Sequence, residues 1–156
     1  MHYWLFKSEP ESFSFKQLQR DKTTEWSGVR NYQARNFMDA MKRGDLGFFY
    51  HSSTKEPGIV GTCRVVREAH PDFTAVDRKS EYYEPRAERG ENPWRMVEVA
   101  FEEAFPRIIT LAELRTRKEL EGMTLLARGS RLSVQPVTAQ QWRAIVKLSR
   151  TRAPLA

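Results

Sequence analysis

Alternating hydrophobic and polar positions predict β-strands in five parts of the chain. Successive side chains of a strand point to opposite faces of the sheet, so every second residue shares a face. Ile59, Cys63 and Val65 share a face in this way, as do Val97 and Val99 further along. The predicted strands cover residues 2–6, 45–51, 58–67, 94–105 and 131–135.

A helical period in the hydrophobic positions appears first at residues 31–42. The apolar positions of this segment are Ala34, Phe37, Met38 and Met41, which form one stripe on a helix. A glycine often stands just past the last helical turn, so we expect Gly44 to end the helix.

Other helices are predicted from residues that cap helix N-termini. Ser14 can cap a brief helix that runs through Arg20. Two pairs have the spacing of a capping box: Thr110 with Glu113, and Thr138 with Gln141. The second pair opens a final helix whose inner side carries Trp142, Ile145, Val146 and Ser149.

The remaining segments are predicted to be irregular. Residues 70–93 contain many charges and few aliphatic side chains, so we expect a long surface loop that serves function or is disordered. Residues 151–156 are expected to form a loose tail after a single domain of residues 1–150. Strands and helices without a βαβ rhythm indicate an α/β (α+β) fold around a small barrel or strongly curved sheet.

Composition narrows the class of protein. The chain has 156 residues, of which 40% are hydrophobic and 29% charged, as in ordinary soluble domains. No apolar run approaches the length of a membrane helix, and the N-terminus does not resemble a signal peptide. The single cysteine, Cys63, excludes an internal disulfide and favours a reducing, cytoplasmic location.

Net charge suggests an anionic partner. The chain carries a formal charge of +6, and Arg outnumbers Lys 18 to 8. Arginine pairs with phosphates through a planar fork and stacks on aromatic rings, so the balance suits a nucleic-acid-binding face. A basic, solvated surface without any partner would account equally well for this net charge and this excess of arginine.

Motifs of enzymes and metal sites are absent from the sequence. No phosphate-binding glycine loop, HExxH motif or GxSxG elbow occurs, and His2, His51 and His70 lack metal-ligand spacing. His51 and Ser52 would point to opposite faces of a strand, which disfavours a catalytic dyad. We therefore predict no catalytic activity, no metal and no cofactor.

Three polar clusters remain, and each lies at a strand end or a helix start. They are KSEP at residues 7–10, WSGVRNYQARN at 26–36 together with FYHS at 49–52, and RLSVQP at 131–136. Side chains at such positions can converge on one cavity. Trp26 and Tyr50 could then stack on a planar ligand, while Ser8, Asn31 and Gln135 pair with its edge.

Each of these residues also has a purely structural interpretation. Trp26 could anchor the core, and Asn31 could cap the helix that follows it. Asn31 and Arg35 are four residues apart, so they share one face of that helix. The predicted cavity depends on the three clusters together, not on one residue.

Five ordered strings in this sequence resemble the EVE domain family. They are YWLFKSEP, WSGVRNYQARNFM, GDLGFFYHS, PGIVG and RLSVQP, and the resemblance runs from Tyr3 to about Trp142. It implies a PUA-like fold, a curved β-barrel with packed helices, related to YTH domains that recognise methylated adenine. It also implies a domain that recognises modified bases, with modified cytosine in DNA favoured and RNA retained as a second possibility.

The candidate ligand-binding residues follow from the resemblance together with the chemistry of the side chains. The positions that match the family are Lys7, Ser8, Glu9, Trp26, Asn31, Tyr50, His51, Arg131, Ser133 and Gln135, and Arg35 is added as a phosphate contact. The family's eukaryotic members carry a long basic N-terminal extension that is missing here, which favours a bacterial, stand-alone domain.

The sequence therefore predicts a non-catalytic nucleic-acid-binding module that holds a base in an aromatic and polar pocket. The alternative is an enzyme that modifies nucleic acid, or a subunit that positions substrate for one. A third hypothesis is a protein-interaction module that uses Trp4 and Phe6 on an exposed sheet edge.

Overall fold

The computed structural model describes residues 1–151 and contains one six-stranded sheet with five helices. The strands are β1 (Tyr3–Ser8), β2 (Thr23–Glu25), β3 (Leu46–His51), β4 (Gly58–Pro71), β5 (Arg95–Thr110) and β6 (Val134–Val137). The helices are α1 (Phe15–Asp21), α2 (Tyr32–Ala40), α3 (Pro85–Glu88), α4 (Leu111–Arg115) and α5 (Ala139–Ser149). Short 3-10 turns lie at Phe73–Val76, Lys118–Leu120 and Thr124–Leu126.

The sheet has the strand order β2-β5-β4-β3-β1-β6. Only the β1–β3 pair is parallel; the other neighbours are antiparallel. β4 and β5 are the longest strands, and their pairing shifts register at four places. Such irregularities bend a strand and increase its twist, which curves the sheet. The result is a mixed α/β, PUA-like domain, as predicted.

Two hydrophobic cores cover the two faces of the sheet. One face carries Phe6 and Phe49, which pack with residues of α1 and α2; we call it the α2 face. The opposite face carries Leu5 and Phe48, which pack with α5 and α4; we call it the α5 face. Neighbouring residues of β1 and β3 therefore belong to different cores, as the two-residue period of a strand requires.

The predicted helices are confirmed, with some corrections at their ends. Ser14 and Thr138 make complete capping boxes, whereas Thr110 accepts from the Glu113 N–H without the reciprocal bond. The Glu113 carboxylate instead binds Arg107 at 2.6 and 2.9 Å. Gly44 does not end α2; it adopts a φ of +97° in the turn before β3.

The five predicted strands are present, but four of them end later than predicted. β1, β4 and β5 each continue past the predicted end, whereas β6 begins at Val134 rather than at residue 131. β2 was not predicted, because three residues are too few to show a period. Residues beyond 151 of the predicted tail lie outside the described residues.

The position of β1 contradicts the third hypothesis, a protein-interaction module that uses Trp4 and Phe6 on an exposed sheet edge. This strand lies between β3 and β6, so it is not an edge. Trp4 and Phe6 are 6% and 0% exposed, and the Trp4 indole N–H donates to Asp45 at 3.0 Å. They are core residues and offer no surface to a partner protein.

Residues 70–93 are better ordered than the sequence suggested. β4 continues through Pro71, and the rest contains a 3-10 turn and α3, with a small core formed by Ala75, Ala87 and Trp94. Within residues 1–151, no helix has the length and apolar character needed to span a bilayer.

Candidate functional site

The predicted site residues of β1 and β3 are divided between the two faces of the sheet. Ser8 and His51 are register partners, and both contact the α2 side: Ser8 Oγ donates to the Phe13 carbonyl at 2.6 Å. Lys7 and Tyr50 are the adjacent partners and belong to the α5 face, where the Lys7 amine lies 6.0 Å from the Tyr50 ring centroid. The structure therefore brings these four residues together as two pairs, not as one cluster.

Trp26 forms part of the α2-face core. Its ring makes edge-to-face contacts with Phe6, Phe13 and Phe49, at centroid distances of 5.1, 6.5 and 5.7 Å. Only 9% of the residue is exposed. The structural interpretation of Trp26 as a core anchor is therefore correct. In this conformation the ring presents too little surface for a base to stack on it.

Tyr50 does not share a cavity with Trp26. It is 3% exposed and packs in the α5-face core, and burial raises the pKa of its phenol. Because the sheet lies between Tyr50 and Trp26, the two rings cannot hold one base between them. The prediction that Trp26 and Tyr50 face one cavity is wrong, because adjacent strand residues point to opposite faces and Tyr50 lies on the face away from Trp26.

Asn31 and Arg35 lie on the outer side of α2. The Asn31 side-chain oxygen accepts from the Ala34 N–H at 2.9 Å, so it caps the helix as the structural interpretation predicted. Arg35 donates to the Pro93 carbonyl at 3.0 Å and stacks on Tyr32, with 4.8 Å from its guanidinium carbon to the ring centroid. Arg35 thus joins α2 to the end of the 72–94 segment.

Asp72 fastens the 26–31 segment to the 72–94 segment. Its carboxylate is fully buried and accepts from the Gly28 N–H at 2.8 Å and from the Arg30 guanidinium at 3.0 Å. Burial raises the pKa of Asp72, but hydrogen bonds from Thr74, Gly28 and Arg30 outweigh it and hold the pKa below its usual value. The carboxylate therefore stays charged and keeps the two segments together.

Arg30 has a second set of contacts, with aromatic rings. Its guanidinium carbon lies 5.4 Å from the Tyr82 centroid and 5.2 Å from the Trp94 centroid, and it also donates to the Tyr82 carbonyl at 2.8 Å. The planar guanidinium thereby orders the middle of the 72–94 segment against the 26–31 segment.

Tyr82 lies directly over Gly28. A Cβ atom at Gly28 would come within 2.8 Å of the Tyr82 ring, and Gly28 adopts a φ of +81° that favours glycine. Tyr82 is 38% exposed, and Tyr32, the first residue of α2, is 49% exposed and stacks on Trp94 at a centroid distance of 4.8 Å. These rings form an aromatic rim beside the 26–31 segment.

Asp72, Arg30 and Tyr82 were not predicted from the sequence. Arg30 lies inside the string WSGVRNYQARN, and Asp72 and Tyr82 lie in the segment predicted to be an irregular loop. Gly28 in the string WSG was the one signal in the sequence for the contact with Tyr82, since a glycine with a left-handed backbone often allows another group to approach closely.

His51 is held as a neutral ring. Its Nε2 accepts from the Phe15 N–H at 3.1 Å, and burial lowers the pKa of the imidazole. Accepting at Nε2 requires the proton of the neutral ring to sit on Nδ1. His51 therefore connects the end of β3 to the start of α1.

The remaining candidates lie around the β1–β6 pair. The Lys7 N–H donates to the Ser133 carbonyl at 2.8 Å, which joins the first polar cluster to the third. Gln135 is 1% exposed; its Nε2 donates to the Leu132 carbonyl, and its Oε1 is buried without a partner among residues 1–151. Glu9 and Arg131 are exposed.

Two open cavities among residues 1–151 are lined by neither Trp26 nor Asn31. One, of about 470 Å³, lies between Pro10–Glu11 and Ser53–Lys55, next to the ends of β1 and β3. The other, of about 530 Å³, lies between Tyr3 and α5. Within residues 1–151, no three His, Cys, Asp or Glu side chains are grouped closely enough to hold a metal ion.

The strand order of the sheet and the polar motifs at the ends of β1 and β3 are features of one class of domain. Comparison with known proteins identifies that class. Residues 2–148 match the EVE domain model, and the chain belongs to the EVE domain family. Mouse thymocyte nuclear protein 1 is 44% identical over 169 residues, which cover 96% of this chain and 74% of the mouse protein.

Solved structures of similar chains have the same fold. A Pseudomonas syringae protein is 49% identical with a TM-score of 0.91, and the match covers 94% of this chain and 99% of that one. Human THYN1 protein, in complex with DNA that contains 5-methylcytosine, is 41% identical with a TM-score of 0.92, covering 98% and 100%.

Proposed function

We propose that the protein is a non-catalytic nucleic-acid-binding domain that recognises a modified base, with 5-methylcytosine in DNA as the favoured ligand. The observation that carries the proposal is the similar fold of human THYN1 protein in complex with DNA that contains 5-methylcytosine, at 41% identity over 98% of this chain. The similarity of nearly the whole chain supports transfer of the binding class.

The proposed site lies on the α2 side, around the 26–31 segment. Tyr82 is 38% exposed and lies directly over Gly28, which has no side chain beneath the ring. A base that moves the Tyr82 ring away from Gly28 would take its place against the 26–31 segment and stack on the displaced ring. Aromatic stacking contributes about 1–3 kcal/mol per base.

Glu9 provides a partner suited to cytosine. The amino group of cytosine is a hydrogen-bond donor, and carboxylates accept from it. Glu9 is exposed, and its backbone carbonyl accepts from the N–H of Phe13 at 2.9 Å, whose ring contacts Trp26 on the α2 face. Glu9 therefore confers preference for cytosine, and the Asn31 amide supplies a donor to the opposite edge of the base.

A pair of oligonucleotides tests the proposal. Duplex and single-stranded DNA with cytosine or 5-methylcytosine at one position are titrated at two salt concentrations. We expect tighter binding of the methylated strand by about fourfold, since burial of one methyl group contributes about 0.8 kcal/mol. Equal affinity for both strands contradicts the proposal.

Glu9→Ala and Glu11→Ala make a matched pair for this titration, because both glutamates are exposed and lie two residues apart. We expect Glu9→Ala to lose most of the binding of the methylated strand and Glu11→Ala to retain it. If both variants bind as the parent does, cytosine is recognised elsewhere.

Mass spectrometry of the recovered DNA separates binding from turnover. A non-catalytic domain returns the oligonucleotide with its mass unchanged after long incubation. A changed mass at the modified base supports the alternative of a nucleic-acid-modifying enzyme.

A further inference from the structure

A groove between Tyr3 and α5 has the features of a second ligand site. This α5 groove encloses about 530 Å³ and is lined by Arg143, Lys147 and Arg150 together with Tyr3 and Trp142. The three cations follow one another at helical spacing and are all exposed. No carboxylate lines the groove, and none of the three forms an ion pair with another residue in the range 1–151.

The floor of the α5 groove is an aromatic cluster. Trp142 stacks with Phe48 at a centroid distance of 4.0 Å and an angle of 19°, and with Tyr3 at 4.7 Å and 20°. Phe48 is fully buried and Trp142 is 8% exposed, whereas Tyr3 is only partly buried. A planar group that lies on the accessible part of Tyr3 would extend this set of nearly parallel rings.

The distribution of charge along the chain points to the same place. Residues 122–156 contain six Lys or Arg and no Asp or Glu, so the remaining 121 residues carry 20 of each sign. The whole formal charge of +6 thus belongs to the last 35 residues, which include β6 and α5. A surface that concentrates the net charge of a protein attracts polyanions.

We propose that the α5 groove binds a single-stranded nucleic acid, whose phosphates contact Arg143, Lys147 and Arg150 and one of whose bases stacks on Tyr3. Cations that follow a strand beside an aromatic surface are the usual combination in sequence-tolerant single-strand binding. The groove lies on the α5 face, and Trp26 belongs to the α2-face core. It is therefore a site separate from the proposed base-recognition site, and it does not require a modified base.

The phosphate contacts are tested with an unmodified 12-nucleotide thymidine strand, by fluorescence anisotropy over a range of salt concentrations. In the double variant Arg143→Gln/Lys147→Gln, we expect affinity to fall about tenfold at low salt. The slope of log affinity against log salt should decrease by about 1.4, since each phosphate contact of a single strand contributes about 0.7.

Lys16→Gln/Arg20→Gln is the matched control. These cations are exposed on α1, have the same spacing of four residues and lie on the opposite face of the sheet. The control removes the same charge and should leave the slope unchanged. Equal slopes for both double variants, or no change in either, overturn the proposal.

The stacking contact is tested with Tyr3→Leu and an abasic strand of the same length. Leucine retains apolar contact with Trp142 but removes the ring, and circular dichroism verifies the fold. We expect Tyr3→Leu to bind the thymidine strand at least fivefold more weakly and the abasic strand as the parent does. If the parent binds both strands equally, the groove recognises charge alone and the stacking part of the proposal is wrong.

Polyglutamate of matched charge distinguishes nucleic acid from an acidic protein segment. We expect it to displace the thymidine strand only at much higher concentration. Displacement at equal concentration identifies an acidic-peptide surface and overturns the proposal. Failure of the base-recognition site appears separately, as a lost preference for the methylated strand with an unchanged salt slope.

Discussion

Asn31 can serve two purposes through two different atoms. Its side-chain oxygen caps α2 by accepting from the Ala34 N–H, which leaves the amide nitrogen for a ligand. Asn31→Ser keeps a capping oxygen and removes the amide, so we expect unfolding free energy to change by less than about 0.5 kcal/mol. Binding of the methylated and the unmethylated strand should nevertheless weaken together in titrations, because the amide contacts a base edge that the two strands share.

Asn31→Ala is the companion variant, because it also removes the cap. Its unfolding free energy should fall by about 1 kcal/mol. A Ser variant that binds both strands as tightly as the parent does would assign Asn31 to helix capping alone.

His51 should make stability depend on pH. Its folded-state pKa lies below the ordinary value of 6.5 because the ring is buried, so the unfolded chain takes up the proton first. The contribution of the neutral His51 ring to the free energy of unfolding is complete above pH 6.5. It is lost as the pH falls from there through the folded-state pKa. Urea unfolding at a series of pH values measures this, and His51→Gln, which can still accept from Phe15, should remove the dependence over that range.

At the scale of elements, the apolar periods and capping residues predicted the helices well. The stripe of α2 is buried at Ala34, Met38 and Met41, and Ser14 and Thr138 cap as expected. Strand ends were less predictable, because β4 and β5 continue through bulges that interrupt the two-residue alternation. The order within the 72–94 segment depends on buried polar contacts that leave no periodic trace in a sequence.

The candidate site was predictable in its residue types but not in its geometry. Lys7 and Ser8 are neighbours in the chain, as are Tyr50 and His51, and each pair is divided by the sheet. Proximity in sequence at a strand end therefore did not imply a shared cavity. The binding roles of the candidate residues, an RNA ligand and a cytoplasmic location stay predictions.

The connection between the 26–31 and 72–94 segments should depend on the charge of Asp72. Asp72→Asn leaves Arg30 largely buried without its ion partner, and loss of one partner of a buried pair costs about 3–5 kcal/mol. We expect a matching decrease in unfolding free energy and faster hydrogen exchange of the Gly28 amide, while amides of β3 exchange at rates set by global stability.

Asp77→Asn controls for the loss of a carboxylate in the same segment, since Asp77 is exposed. This variant should unfold as the parent does. If Asp72→Asn is equally stable, the two segments are held together by the aromatic contacts of Arg30 and not by the carboxylate.

At the scale of the whole molecule, the sheet separates two surfaces of different character. The α2 side has an aromatic rim and a carboxylate at Glu9, which suit recognition of one base. The α5 side carries the cations of the basic C-terminal part, which suit contact with phosphates of any sequence. We therefore propose that base selectivity and salt-dependent affinity belong to opposite faces of the sheet.

This separation predicts that changes on the two faces act independently. Free-energy effects of distant sites without shared partners usually add within about 0.5 kcal/mol. We therefore expect the binding free-energy losses of Asn31→Ser and of Arg143→Gln/Lys147→Gln to add when the variants are combined, for a methylated strand long enough to reach both faces. Each variant and the combination are titrated with the same strand at one salt concentration. A combined loss well below the sum would indicate that the two sites cooperate through one bound strand, and a loss no greater than either alone would place both sets of residues in a single site.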